Sequence, residues 1–151
     1  MKESVIVSAC LIGINCKYNG ENNHDENTMK YLDKYNIIPV CPEQFGGLST
    51  PRIPSEIEYG FEGKDILDSR AKVYDKNGKC VSKEFILGAE KTLKIALEND
   101  VKLAILKESS PSCGSKQIYN GKFENTKKMG MGVTSALLKK YDICVISESD
   151  I

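Results

Sequence analysis

Four short runs of aliphatic residues restrict the fold of this chain more than any other feature of its sequence. The runs occupy positions 5–7, 37–40, 103–106 and 143–146. None of them alternates apolar with polar residues, and such runs are typical of strands that are buried on both faces of a parallel sheet. A sheet of this kind must be covered by helices on its two faces.

The stretches between the runs have helical periodicity. In "SKEFILGAEKTLKIALEND", residues 82–100, Ser82 can cap the start and the Asn99-Asp100 pair marks the end. The apolar face of this helix is formed by Phe85, Ala89, Leu93, Ala96 and Leu97. Further helices are predicted over residues 133–141 and about 25–35. The repeated order of strand, helix and strand predicts an α/β sandwich with a mainly parallel sheet flanked by helices.

Two tight turns are predicted outside this framework. "QIYNGKF" indicates a hairpin with a turn at Asn120-Gly121, and "VYDKNGKCV" indicates another turn at Asn77-Gly78. No repeat, low-complexity segment or linker divides the sequence. We therefore expect residues 1–151 to form a single domain, a length that can bury a core without disulfides.

The charge balance excludes some classes of partner. The chain has 21 basic and 21 acidic residues, so it carries no net field that would attract nucleic acid or an anionic membrane. The apolar run at positions 5–7 is too short for the apolar region of a signal peptide, and no stretch approaches the roughly 18 apolar residues of a membrane span. We expect a cytoplasmic protein without nucleic-acid or membrane partners.

Six cysteines in such a chain indicate metal binding or catalysis rather than disulfides. Cys10 follows the first predicted strand, Cys41 ends the second, and Cys113 lies a few residues beyond the third. Carboxyl ends of parallel strands meet at one edge of the sheet, where ligands bind in open α/β folds. We therefore expect these three thiols to converge on one site, although they are far apart in the sequence.

The other three cysteines have different surroundings. Cys144 lies inside a predicted strand and is expected in the core, Cys80 follows a tight turn, and Cys16 lies on the loop after Cys10. The alternative for the converging thiols is plain burial as small hydrophobic side chains. If they bind metal, three thiolates suit zinc or an iron–sulfur cluster. Because the only histidine is His24, a three-cysteine site would leave one metal position open to a substrate.

Several motifs together resemble the bacterial domain of unknown function 523 family, whose characterised members include thiouracil desulfurase. In chain order they are "VSACLIG", "CPEQFGGLSTPR", "GAEKTL", "LKESSPSCGSKQIYNGKF" and "GMGVTSALL". They run from about residue 5 to residue 148, so the resemblance covers nearly the whole chain.

The resemblance implies a [4Fe–4S] cluster held by Cys10, Cys41 and Cys113. It also implies catalytic roles for Glu43 in the "CPE" motif and for Ser110, the first serine of "SPSC". The implied activity is a non-redox desulfurase reaction on a small thiolated substrate such as 2-thiouracil, which yields the oxo product and sulfide. Cys16, Cys80 and Cys144 lie outside these motifs and are not expected to be ligands.

Each candidate residue also has a structural alternative. Glu43 can stabilise a helix N-terminus, and Ser110 before a proline can start a turn. Arg52 either orients a substrate carbonyl or forms a surface ion pair, and His24 suits an ordinary helix start. The glycines of "GMGVTS" resemble a phosphate-binding helix start, but they can also serve packing alone.

Two other functions compete with the desulfurase. One is a non-catalytic iron–sulfur or metal-binding sensor module, which would not need Glu43. The other is an enzyme with Cys113 as its nucleophile, which the lack of a second histidine disfavours.

Overall fold

The computed structural model describes residues 2–151. The strands are β1 (Ser4–Ser8), β2 (Asn36–Val40), β3 (Ser55–Ile57), β4 (Val73–Asp75), β5 (Leu103–Leu106), β6 (Gln117–Tyr119), β7 (Lys127–Met129) and β8 (Cys144–Ser147). The helices are α1 (Glu26–Leu32), α2 (Pro42–Phe45), α3 (Gly63–Leu67), α4 (Ser82–Glu98) and α5 (Val133–Lys140), with 3₁₀ turns at Ala9–Ile12 and Glu148–Asp150. Across residues 2–151, every helix is too short or too polar to cross a membrane.

The four aliphatic runs form one parallel sheet in the order β2-β1-β5-β8. Side chains of β1 alternate between the two faces. Ile6 packs with Phe85 of α4 and Leu138 of α5, whereas Val5 and Val7 pack on the other face, in the cluster that contains Leu32 of α1. The predicted α/β sandwich with a parallel sheet between helices is therefore confirmed.

The two outer strands are less buried than the sequence predicts. Ile37 in β2 is 37% exposed, and Cys144 in β8 is exposed rather than part of the core. Each of these strands pairs with only one neighbour, so side chains at the two edges of the sheet reach solvent. Pro39 fits in β2 because an edge strand has one side without hydrogen-bonded partners.

Helix α4 extends over the predicted residues but differs from the prediction in two details. Its N-cap is Val81, and the Ser82 hydroxyl accepts a hydrogen bond from the N–H of Val73 at 2.9 Å. Ser82 therefore ties the helix to β4 rather than capping it. Leu97, predicted on the buried face, is 53% exposed, because twelve residues of helix carry it about 120° around the axis from Phe85.

The predicted hairpin around Asn120 is present, but its connection is longer than a two-residue turn. Strands β6 and β7 pair antiparallel, and residues 120–126 join them. Glu56, a buried carboxylate, holds this connection by accepting hydrogen bonds from the N–H groups of Gly121 and Phe123. The other predicted turn, at Asn77-Gly78, follows β4 and leads into an antiparallel bridge between Tyr74 and Cys80.

Helices α2 and α4 approach each other through backbone atoms. A Cβ added at Gly88 would lie 1.8 Å from the carbonyl oxygen of Pro42, and one at Gly46 would lie 1.8 Å from the carbonyl oxygen of Glu84. Only glycine allows this separation. Since α2 begins directly after Cys41, the contact also fixes the position of that cysteine.

We expect the substitution Gly88→Ala to destabilise the protein by about 2 kcal/mol, because overpacking of this kind costs about 1–3 kcal/mol. Helix propensity alone predicts the opposite sign, a gain of about 1 kcal/mol for replacing a helical glycine. Urea unfolding of the two proteins decides between these effects. Leu87→Ala, at a half-exposed position on the same helix, is the control and is expected to change stability much less. A stabilised Gly88→Ala protein would show that the two helices can separate without cost.

Candidate functional site

A cavity of about 430 Å³ opens at the carboxyl edge of the parallel sheet. Cys10 reaches it from the 3₁₀ turn after β1, Cys41 from the N-cap of α2 after β2, and Cys113 from the loop after β5. Glu43 and Ser110 line the same cavity. The structure thus brings together the three cysteines and both candidate catalytic residues, as the topology predicts.

The loop that carries Cys113 is held by the start of α5. The N–H groups of Thr134 and Ser135 bond to the carbonyl oxygen of Ser112, and the Ser135 hydroxyl donates to the carbonyl oxygen of Cys113 at 2.7 Å. A Cβ at Gly132 would lie 2.5 Å from the carbonyl carbon of Ser112. The "GMGVTS" segment therefore serves packing, and its N–H groups already have partners instead of free positions for a phosphate.

Glu108 organises the same loop from the other side. Its Oε1 atom accepts hydrogen bonds from the N–H groups of Ser115, Lys116 and Gln117 at 2.8–3.2 Å, and its Oε2 atom accepts one from the Ser115 hydroxyl. Burial alone would raise the pKa of Glu108, but these donors outweigh it and lower the pKa below its usual value. A charged Glu108 thus stabilises the folded loop.

The lowered pKa of Glu108 predicts a loss of stability in acid. A carboxyl group with a depressed pKa contributes its full stabilisation above the unfolded pKa of about 4.3, and this contribution disappears as pH falls through the lower folded value. We expect the stability difference between wild type and Glu108→Gln to shrink as pH is lowered from 7 to 3. Urea midpoints measured across this range test the prediction. A difference that stays constant with pH would contradict it.

Cys16 is a site residue that the sequence analysis missed. It is buried, it lines the cavity, and its carbonyl oxygen lies 3.7 Å from the Cys41 sulfur. The Cys16 side chain lowers the pKa of Cys10 and lowers the pKa of Cys41 to about 7, while the Cys10 and Cys41 side chains raise the pKa of Cys16. Lowered pKa values favour the thiolate, the form that binds metal. The sequence feature that could have identified Cys16 as a site residue is its short distance from Cys10 along the chain.

Cys113 has the opposite character. It is buried, and burial raises the pKa of its thiol to about 12. Because the thiolate is the reactive form of cysteine, this position disfavours the alternative in which Cys113 is a free nucleophile. A bound metal would remove the proton in any case.

Glu43 lies in the first turn of α2, the position expected for a carboxylate that stabilises a helix N-terminus. Its carboxylate also faces the cavity. Arg52 donates from Nε to Glu43 Oε1 at 3.0 Å, and its other nitrogens bond to the carbonyl oxygens of Ser49 and Cys16. The Arg52 side chain is only 8% exposed. Arg52 therefore forms a largely buried ion pair that holds Glu43, and not a surface pair.

Ser112 is a second residue that the sequence analysis did not single out. Its hydroxyl lies 3.0 Å from Glu43 Oε2, 2.9 Å from the Ser110 hydroxyl and 3.5 Å from the Cys113 sulfur. Nothing in the sequence distinguishes it from other serines, because its partner Glu43 is 69 positions away.

The remaining candidates lie outside the cavity. His24 precedes Asp25, which caps α1 by accepting a hydrogen bond from the N–H of Thr28. His24 is therefore an ordinary residue at the start of a helix, as expected. Cys80 and Cys144 are exposed elsewhere on the surface. Among residues 2–151, no group of three His, Cys, Asp or Glu side chains is arranged to hold a single metal ion.

Comparisons with known proteins agree with this architecture. A family model described as 2-thiouracil desulfurase matches residues 5–150. The uncharacterized protein YbbK of Bacillus subtilis (strain 168) is 46% identical over 147 residues, which make up 97% of each chain. The solved structure of the [4Fe-4S]-dependent thiouracil desulfidase TudS is 40% identical and superposes with a TM-score of 0.85, covering 99% of this chain and 93% of its own.

Proposed function

Because this chain belongs to the 2-thiouracil desulfurase family, we propose that it is a [4Fe–4S]-dependent enzyme that removes sulfur from a small thiocarbonyl compound such as 2-thiouracil. The products are the oxo compound and sulfide. One observation carries the proposal: Cys10, Cys41 and Cys113 line a single cavity together with Glu43 and Ser110.

The donor set around the cavity fits an iron–sulfur cluster. Cys10, Cys41 and Cys113 offer three sulfur ligands, and cysteine thiolates are the usual ligands of such clusters. These three residues would hold the cluster. When bound, it supplies a sulfur-seeking Lewis acid in the cavity.

Desulfuration without redox change needs only water as a co-reactant. The thiocarbonyl C=S bond is replaced by C=O, the oxygen comes from water, and the sulfur leaves as hydrogen sulfide. Glu43, with its carboxylate held at the cavity, is the group that takes a proton from the attacking water. Because no atom changes its oxidation state in this reaction, it needs no nicotinamide or flavin cofactor.

The cavity walls suit a flat polar heterocycle. Tyr119 and Phe123 supply aromatic surface, and Ser110 supplies a hydroxyl beside the cysteines. Aromatic side chains pack well against planar rings, while a few polar groups fix the orientation of a bound ligand. We assign Ser110 the role of contacting the substrate or the attacking water.

The cysteine content supports a reducing compartment for this reaction. All six cysteines are free thiols, and disulfides are rare in the cytosol. We therefore place the enzyme in the cytoplasm, acting on a free small molecule.

The proposed function is tested with protein purified without oxygen. We expect about four irons and four acid-labile sulfides per chain, and release of one sulfide for each 2-thiouracil converted to uracil. Cluster-free protein is the control and should release none. Protein that carries the cluster but leaves 2-thiouracil intact would contradict the proposal and favour the sensor alternative.

A further inference from the structure

Ser112 connects the two candidate catalytic residues through its hydroxyl group. Its hydroxyl donates to Glu43 Oε2 at 3.0 Å, and the Ser110 hydroxyl lies 2.9 Å from it on the other side. Glu43 Oε1 is already held by Arg52 at 3.0 Å. Both oxygens of the carboxylate therefore have a fixed partner, so its plane cannot rotate freely.

The chemistry of the groups gives this chain of hydrogen bonds a direction. An ionised carboxylate only accepts, and a serine hydroxyl has one proton to donate. Ser112 gives its proton to Glu43, so the hydrogen bond between the serines must be donated by Ser110. The oxygen of Ser110 in turn faces the N–H groups of Ser112 and Cys113, each at 3.2 Å. Ser110 thus has one defined hydroxyl orientation.

Ser112 lines the same cavity, but it is much less accessible than its two partners. It is 2% exposed, whereas Ser110 and Glu43 are only partly buried. Its backbone is fixed by the start of α5, through the N–H groups of Thr134 and Ser135. Because its single hydroxyl proton is donated to Glu43 and its oxygen accepts from Ser110, its hydroxyl acts through these two neighbours.

We propose that Ser112 is a positioning residue that joins Glu43 and Ser110 into one catalytic unit, an inference that rests on the proposed desulfuration. With Ser112 removed, Glu43 loses the partner of one oxygen and Ser110 loses the acceptor of its proton. Both groups then sample orientations that do not suit the reaction, and small displacements of this kind can slow catalysis by about 100-fold.

The test is a double-mutant cycle of Ser112→Ala and Glu43→Gln, assayed by sulfide release from 2-thiouracil with iron content measured on every protein. We expect Ser112→Ala to lower kcat about 100-fold, to change KM less than about threefold, and to keep the iron of the wild type. When Ser112→Ala is added to the Glu43→Gln protein, it should lower kcat by less than about a further threefold. Ser115→Ala, which removes another hydroxyl bonded to a carboxylate in this loop, should stay within about twofold of wild type.

Three results would overturn the inference: unchanged kcat in Ser112→Ala, losses that multiply in the double variant, or iron loss that accounts for the whole effect. Failure of the proposed function is seen separately, as a wild type that releases no sulfide. In that case the thermal midpoints of the same four proteins decide the matter. Non-additive shifts support the coupling of Ser112 to Glu43, and additive shifts refute it.

Discussion

Replacing Cys113 with alanine is expected to leave the anaerobically purified protein without iron and acid-labile sulfide, and unable to release sulfide from 2-thiouracil. The other two proposed ligands would remain, but two thiolates cannot hold a cluster that the proposal assigns to three. The fold should survive, because the substitution removes one buried sulfur from a core that contains many aliphatic side chains. Iron and sulfide assays, together with an absorption spectrum, measure the loss.

Cys144→Ala is the matched control for this experiment. Cys144 is exposed at the edge strand β8, so its removal should leave iron content and sulfide release unchanged. Cys16→Ala adds a sharper comparison, because Cys16 lies beside two of the proposed ligands but is not predicted to be one. If the Cys113→Ala protein kept its iron and the Cys16→Ala protein lost it, the third ligand would be Cys16 instead of Cys113.

The second large effect is expected for Glu43→Gln, which should lower sulfide release by about 1,000-fold while the iron content stays that of the wild type. General acid–base groups contribute about 10²- to 10⁴-fold, and glutamine keeps the shape of glutamate without its ability to take a proton. The assay is kcat for sulfide release, with the cluster quantified in the same sample.

Glu90→Gln makes the same chemical change at an exposed position on α4 and should leave the rate unchanged. If Glu43→Gln retained activity within about tenfold of the wild type, Glu43 would act only as a first-turn carboxylate. That role is worth about 0.3–1 kcal/mol of helix stability. The substitution would then be seen as a loss of stability of this size in unfolding experiments.

The parallel sheet could be predicted because each of its strands is built on a short, mostly aliphatic run, the pattern typical of strands buried on both faces. The exposure of Ile37 and Cys144 could not be predicted in the same way. Burial of a strand depends on whether it lies at the centre or the edge of the sheet. Strand order is set by long-range pairing, and the local sequence does not record it.

The candidate site also has one part that could be predicted from the sequence and one part that could not. The meeting of Cys10, Cys41 and Cys113 follows from topology, since each comes after the carboxyl end of a parallel strand. The roles of Arg52 and Ser112 depend on which side chains face Glu43 in the folded protein. Their contacts with Glu43 span 9 and 69 positions, and no local pattern encodes them.

The close backbone contacts at Gly46, Gly88 and Gly132 have a consequence for how this protein tolerates change. The first two fix the helix that follows Cys41, and the third fixes the loop before Cys113. Main-chain atoms touch directly there, so the position of Cys41 relative to α4 and that of Cys113 relative to α5 depend little on the size of nearby side chains. We therefore expect exchanges among aliphatic core residues to move each cysteine little relative to its own helix, whereas a single added methyl group at any of the three glycines would displace the cysteine beside it.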